Sequence, residues 1–183
     1  MTYPNQPMQY AGFRKRISAQ FVDFFFMLPL IGLVFWIEQQ YKTFALIEPV
    51  LMLGVGLWFN IYMVKRYGGT PGKVLLGLRI VSVDGRPVDY QQAVLRYSVS
   101  FMLGAAASAA TVIATMKMPE ADYYALGVLE RSSKIDQLAP AWCGLVTILS
   151  NIWIWGESII TLTNKRRRAP HDFMAGTVVI YAP

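Results

Sequence analysis

Histidine and cysteine occur once each in this 183-residue chain, as His171 and Cys143. A lone cysteine closes no internal disulfide. One cysteine and one histidine also fall short of the tetrahedral Cys/His sets that hold zinc. Charge is scarce: Asp, Glu, Lys and Arg make up 15% of residues, against about a quarter in soluble domains. There is no Gly-x-Ser-x-Gly elbow, no paired His-Glu signature and no cysteine nucleophile beside a base. The nearest approach to a phosphate loop is GGTPGK at 68–73. It fails on spacing, since that pattern would need a glycine at Tyr67 and a hydroxyl at Val74. These gaps give no support for an enzyme, and no cofactor or metal is expected. The opening stretch MTYPNQPMQYAGF is polar, with no apolar core before a cleavage site. The first apolar span is therefore expected to serve as the insertion signal.

What the chain has instead is long apolar runs. Residues are 55% hydrophobic, with a mean hydropathy of +0.37. Four runs are about 20 residues long, the length that crosses a bilayer's hydrocarbon core: 17–37, 45–64, 94–116 and 140–163. The predicted fold is an all-α membrane protein, a four-transmembrane-helix bundle forming one domain over 14–183 behind a tail at 1–13. Residues 1–11 read as flexible. Pro29 sits mid-span, where neighbouring helices re-satisfy the freed carbonyl. Gly54 and Gly56 in the second span, and the small residues from Gly104 to Ala110 in the third, suggest close helix approach. The link 117–139 reads as an outer loop, with a short amphipathic helix in EADYYALGVLE lying at the interface.

The segment 67–93 differs from these runs. Gly68, Gly69, Pro71 and Gly72 break any helix, LRIVSV alternates β-branched residues, and Asp84-Gly85 signals a tight turn. A short β-hairpin is predicted there. GTVVIY at 176–181 is expected to pair with it and close a small sheet, since an isolated hairpin is marginal in water.

The basic residues are unevenly placed. Thirteen of the 17 Lys and Arg fall on the side of the N-terminus, the 65–93 segment and Lys165–Arg168, leaving only Lys42, Lys117, Arg131 and Lys134 on the other. The net charge of +6 therefore reads as a topology signal rather than a nucleic-acid surface. The positive-inside rule predicts an inner (plasma) membrane protein with both termini and the β element in the cytoplasm. The basic edges Arg14–Arg16 and Lys165–Arg168 are also expected to hold anionic lipid headgroups, at about 1 kcal/mol per residue.

Ionisable groups inside such spans usually face the bundle interior and pair. Asp23 lies seven residues in from Arg16, Glu157 eight in from Lys165 and Asn60 five in from Lys65. Arg96 stands near the mouth of the third span. Each span thus brings a polar group to one level. Two readings stay open. In one, Asp23, Glu157 and Asn60 form a cation/proton site of oxygen ligands suited to a hard cation. In the other, Arg16 or Arg96 pairs with Asp23 in a structural ion network. His171-Asp172 is read chiefly as a turn cap before GTVVIY, or as a partner for a basic residue of 65–93.

Three blocks together resemble the RDD family of small membrane proteins, named for an arginine and two aspartates: AGFRKRISAQFVDFF, GGTPGKVLLGLRIVSVDGRPVDYQQAVLR and RRRAPHDFMAGTVVI. In the resemblance Arg16 matches the arginine, Asp23 the first aspartate and Asp172 the second. The 117–139 loop falls outside it. The resemblance implies either a monovalent cation/proton antiporter or a non-enzymatic adaptor or assembly factor recruiting a partner. Four helices are thin for a transporter, so a homo-oligomer is expected with the first.

Overall fold

The computed structural model describes residues 8–182. Four helical segments are long and apolar enough to cross a membrane: Phe13–Gln40, Lys42–Leu75, Tyr90–Lys117 and Cys143–Thr163. They contain the expected spans, except for Pro140–Trp142 before the last helix. In detail, α1 is Phe13–Gln40 and α2 is Lys42–Leu57. A π-helical turn, Trp58–Tyr62, joins α2 to α3, Met63–Tyr67. This rod stops at Gly68, whose φ of 75° is left-handed and suits a residue without Cβ. α5 spans Tyr90–Lys117, opened by a capping box in which Asp89 accepts from the Gln92 amide at 2.7 Å and Gln92 accepts from the Asp89 amide at 3.2 Å. α8 is Cys143–Thr163. Phe21, Phe25, Val50, Ile148 and Ile152 all point outward, the arrangement that lets acyl chains solvate a bundle.

α5 is the central helix, packing on α2, α8 and the π turn. Of the two glycines expected to admit a neighbour, Gly56 does so: a Cβ there would collide with the Tyr97 side chain of α5. Gly54 and Gly104 face open space instead. Close approach depends on which side of the helix a small residue occupies, and spacing along the chain leaves that undetermined.

The sheet has two strands, β1 (Leu78–Ser82) and β2 (Thr177–Tyr181), antiparallel with Ile80 opposite Val179. The predicted pairing of 67–93 with the C-terminal strand is thus observed. The predicted hairpin within 67–93 shrinks to one bridge, Val81 to Pro87, because proline has no N–H to continue a ladder. The helix-breaking run also contains a short helix, α4 (Pro71–Leu75), with Pro71 at its first position. Residues 9–11 do not hang free as a flexible tail would. Tyr10 bridges Ile180, the Ala11 amide donates to the Val179 carbonyl at 2.9 Å and the Tyr181 amide to the Gln9 carbonyl at 3.0 Å. The rest of the predicted tail, residues 1–7, lies outside the described residues.

The 117–139 link is a folded cap rather than a loop with one surface helix. It holds α6 (Glu120–Ala125) and α7 (Val128–Leu138), broken at Leu126-Gly127. Met118 and Tyr123 are buried against Ala45. The Tyr123 hydroxyl donates to the Glu38 carbonyl at 3.0 Å, and the Lys42 amide donates to the Tyr124 hydroxyl at 3.0 Å. Both bonds tie the cap to the α1–α2 turn.

Candidate functional site

The polar centre of the molecule is Asp172. It sits in the first turn of α9 (Pro170–Met174), a short helix that packs on α5, α8 and β2. Its side chain is fully buried. One carboxylate oxygen accepts from Arg16 Nη1 of α1 at 2.7 Å and from the Ala169 amide at 3.0 Å. The other accepts from Arg96 Nη1 of α5 and from the Thr177 hydroxyl of β2 at 3.2 Å. One aspartate therefore joins α1, α5, the C-terminal turn and the sheet. Burial by itself pushes this carboxyl up. Arg96, His171, Arg16 and the Ala169 amide outweigh that and hold it well below the usual carboxylate range.

This corrects the partner expected for the two arginines. Neither Arg16 nor Arg96 makes a salt bridge to Asp23 among the described residues; both bind Asp172. Asp172 also does the capping expected of it, reaching back to the amide of Ala169, the N-cap residue of its helix. Its basic partners come from α1 and α5 rather than from 65–93.

Asp23 has a different neighbourhood. Its Oδ2 accepts from the Thr70 hydroxyl at 2.6 Å and its Oδ1 from the Gly72 amide at 2.7 Å. It thus satisfies donors at the start of α4 from the side of α1. The approach is possible only because position 72 is glycine. A Cβ there would run into the Ala19 carbonyl and lie 2.9 Å from the Asp23 amide.

Beside this lock is a cavity of about 370 Å³ at the sheet end of the bundle. Glu157 of α8 and Asn60 of the π turn line it, together with Arg16, Lys73, Arg96, Tyr97 and His171. Asp23 does not line it. Of the three predicted cation ligands, the cavity therefore gathers Glu157 and Asn60 and leaves Asp23 at the α1–α4 contact. Asn60 Nδ2 donates to the Gly56 carbonyl at 3.1 Å, and its amide oxygen has no hydrogen-bond partner among the described residues. Glu157 Oε1 is paired with His171 Nδ1, and His171 Nε2 lies 3.8 Å from Asp172 Oδ1. Burial pushes the imidazole down and Arg96 adds to the effect; Glu157 and Asp172 pull the other way without reversing it. The Nδ1–Oε1 contact holds one proton between the two atoms, carried by either group. Glu157 and His171 thus form a hydrogen-bonded pair on the cavity wall, with Asp172 next to the imidazole but beyond hydrogen-bond reach.

Sequence reasoning passed over Lys73 and Thr70 of the glycine-rich segment, and Thr177. The signal for the first two lay in GGTPGK, a polar, turn-rich stretch directly after a span. Nothing in the pattern marked the π turn that carries Asn60.

No curated protein matches the chain. The RDD family matches residues 10–176, which takes in α1, the α4 segment, the cap and the Asp172 turn. The matched range includes Arg16 and Asp172, the buried pair at 2.7 Å, and Asp23, the anchor of α4. With four apolar helices around that pair, the chain is an integral membrane protein and belongs to the RDD family.

Proposed function

We propose that this protein is a proton-coupled secondary transporter of the inner (plasma) membrane, with Glu157 as its proton-carrying group. One observation carries the reading. Glu157 lies on the wall of a cavity between the spans, and its carboxylate is held by the chain's single histidine. Intramembrane carboxylates that border a cavity are the usual proton carriers of transporters. Protonating Glu157 removes the charge that binds His171. His171 in turn abuts the residue that clamps α1, α5 and β2 together, so proton occupancy and helix packing are linked.

In the antiporter version a monovalent cation would compete with that proton, with Glu157 and the Asn60 oxygen as ligands. Asp23 would support the site only indirectly, through α4. The cation/proton site is thus reduced from three ligands to two, and Arg16, Lys73 and Arg96 on the same wall repel a bound cation. A pathway between four helices would be completed by a homo-oligomer. Both termini are assigned to the cytoplasm by the uneven Lys and Arg distribution. The exposed Arg14, Lys15 and Lys165–Arg167 would meet anionic lipid headgroups there. The alternative is a non-enzymatic adaptor or assembly factor recruiting a partner through its cytoplasmic face; if it did so by strand addition, it would need an open sheet edge. Tyr10 lies along β2 and Pro87 bridges β1, so both edges are in use.

The test is proton flux in proteoliposomes carrying an internal pH dye, driven in turn by sodium, potassium, lithium and phosphate gradients. Wild type should acidify or alkalinise the lumen under at least one gradient. Glu157→Gln should abolish the response, and a folded Asp23→Asn should retain it. Silence under all four gradients, or an active Glu157→Gln, refutes the transporter reading.

A further inference from the structure

We infer that the cavity binds a phosphate group, and that the species coupled to the proton is an anion that carries one. The coupling half of this rests on the transporter reading above; the binding half stands on the cavity alone.

Three cationic side chains reach the cavity wall from three elements: Arg16 from α1, Lys73 from α4 and Arg96 from α5. The carboxylates near them are otherwise occupied. Asp172 is not a wall residue, and its single charge is shared between two guanidinium groups. Asp23 also lies off the wall, with both oxygens committed to Thr70 and Gly72. Glu157 is on the wall, but one of its oxygens is held by His171. Facing the cavity, three cations therefore stand against one carboxylate.

Two donors are short of acceptors. Lys73 Nζ has one hydrogen-bond partner among the described residues, the Thr70 hydroxyl at 3.2 Å, and forms no salt bridge among them. Arg16 is nine-tenths buried, and its Nη2, closed off from solvent, has no hydrogen-bond partner among the described residues, so a cavity ligand reaches it only when the Arg16 side chain shifts. A buried guanidinium nitrogen without an acceptor is costly, and almost all such groups in folded proteins are paired. Phosphate supplies what is missing: several oxygens and a charge of −1 to −2, matched by a forked arginine and a point-charge lysine. The cavity of about 370 Å³ lies within the roughly 300–1,000 Å³ of small-molecule sites, and it admits either a free phosphate compound or a lipid headgroup. A sodium ion would meet an excess of N–H donors there, the wrong chemistry for a cation.

The experiment uses the full chain in nanodiscs of neutral phosphatidylcholine. Inorganic phosphate is titrated at fixed ionic strength, followed by thermal shift and calorimetry, with sodium chloride as control. A second arm omits phosphate and adds phosphatidate to the nanodisc. Saturable stabilisation by phosphate alone identifies a soluble ligand; stabilisation by phosphatidate that inorganic phosphate competes away identifies a headgroup. Lys73→Gln should weaken binding at least tenfold and Lys73→Arg should restore it, with both variants melting like wild type when no phosphate is present. Should Lys73→Gln misfold, competition by sulfate provides the second measurement: sulfate should displace phosphate from wild type, and failure to displace it overturns the site. No saturable response in either arm, or equal binding by Lys73→Gln, overturns the site. Phosphate binding without any proton flux would sink the transporter reading and leave the site standing. Sodium-driven flux without phosphate binding would do the reverse.

Discussion

Replacing Asp172 by asparagine should cost more stability than any other single polar change in the chain. The substitution keeps the shape and the hydrogen-bonding oxygen. It removes the one negative charge between Arg16 Nη1 at 2.7 Å and Arg96 Nη1. Both arginine side chains are 10% exposed and the aspartate 0%, so water screens the orphaned guanidinium charges poorly. Breaking a buried pair by removing one partner costs about 3–5 kcal/mol. For a chain of this length that corresponds to a fall in melting temperature of roughly 6–20 °C, at roughly 2–4 °C per kcal/mol. The assay is thermal unfolding in detergent at a fixed scan rate, with Asp84→Asn as control. Asp84 also pairs with an arginine, Arg86, but both are exposed, and exposed pairs contribute little. Arg16→Met combined with Asp172→Asn should be less damaging than the sum of the two single changes, because it removes the orphaned charge along with its partner. A loss below 2 °C for Asp172→Asn, or strict additivity in the double variant, would show that the lock does not hold the bundle.

Asp23→Ala should destabilise by about 1–3 kcal/mol by leaving the Thr70 hydroxyl and Gly72 amide unpaired; limited proteolysis should then cut first within 68–77, and cleavage elsewhere would refute the anchor. Gly72→Ala should cost about 1–3 kcal/mol by overpacking, since the new methyl group meets the Ala19 carbonyl, a backbone atom with little room to yield; an unchanged melting temperature would count against the close α1–α4 contact. Acid should destabilise in two windows. The folded imidazole of His171 is pushed below its ordinary value near 6.5, so from about pH 6.5 downward the unfolded chain binds the extra proton and stability falls, by at most about 1.4 kcal/mol per pH unit. Asp172, held below its ordinary value near 3.8, adds a second loss as pH drops under about 4, because its stabilisation is complete only above that point. His171→Gln should flatten the first window, measured as melting temperature between pH 8 and 5, and leave the second; an unchanged first slope would assign it to another group.

The elements that water or lipid dictates were legible from residue order. Four runs of bilayer length became four helices, and GTVVIY became the strand that completes the sheet. Pro87 limited the hairpin for a reason also written in the chain, its missing N–H, although the Asp-Gly turn signal concealed it. The cap at 117–139 was harder to foresee. Its structure rests on tertiary bonds from Tyr123 and Tyr124 to the α1–α2 turn, and local propensity carries no record of those.

The site was legible in depth but not in direction. Counting residues from the basic edges brought Asp23, Asn60, Arg96 and Glu157 to one level, and three of the four do line the cavity. Arg16 and Asp23, seven residues apart, share a helix face to within about 20°, which invited the idea that they pair. Seven residues also rise about 10 Å, too far for a salt bridge within one helix. Each therefore had to find a partner on another element: Arg16 turned to Asp172, and Asp23 to the start of α4. Arg16, Asp23 and Asp172 thus perform two tasks, a buried ion pair and an α4 anchor. Of these three only Arg16 also reaches the cavity wall, where it stands with Glu157, His171, Lys73 and Arg96.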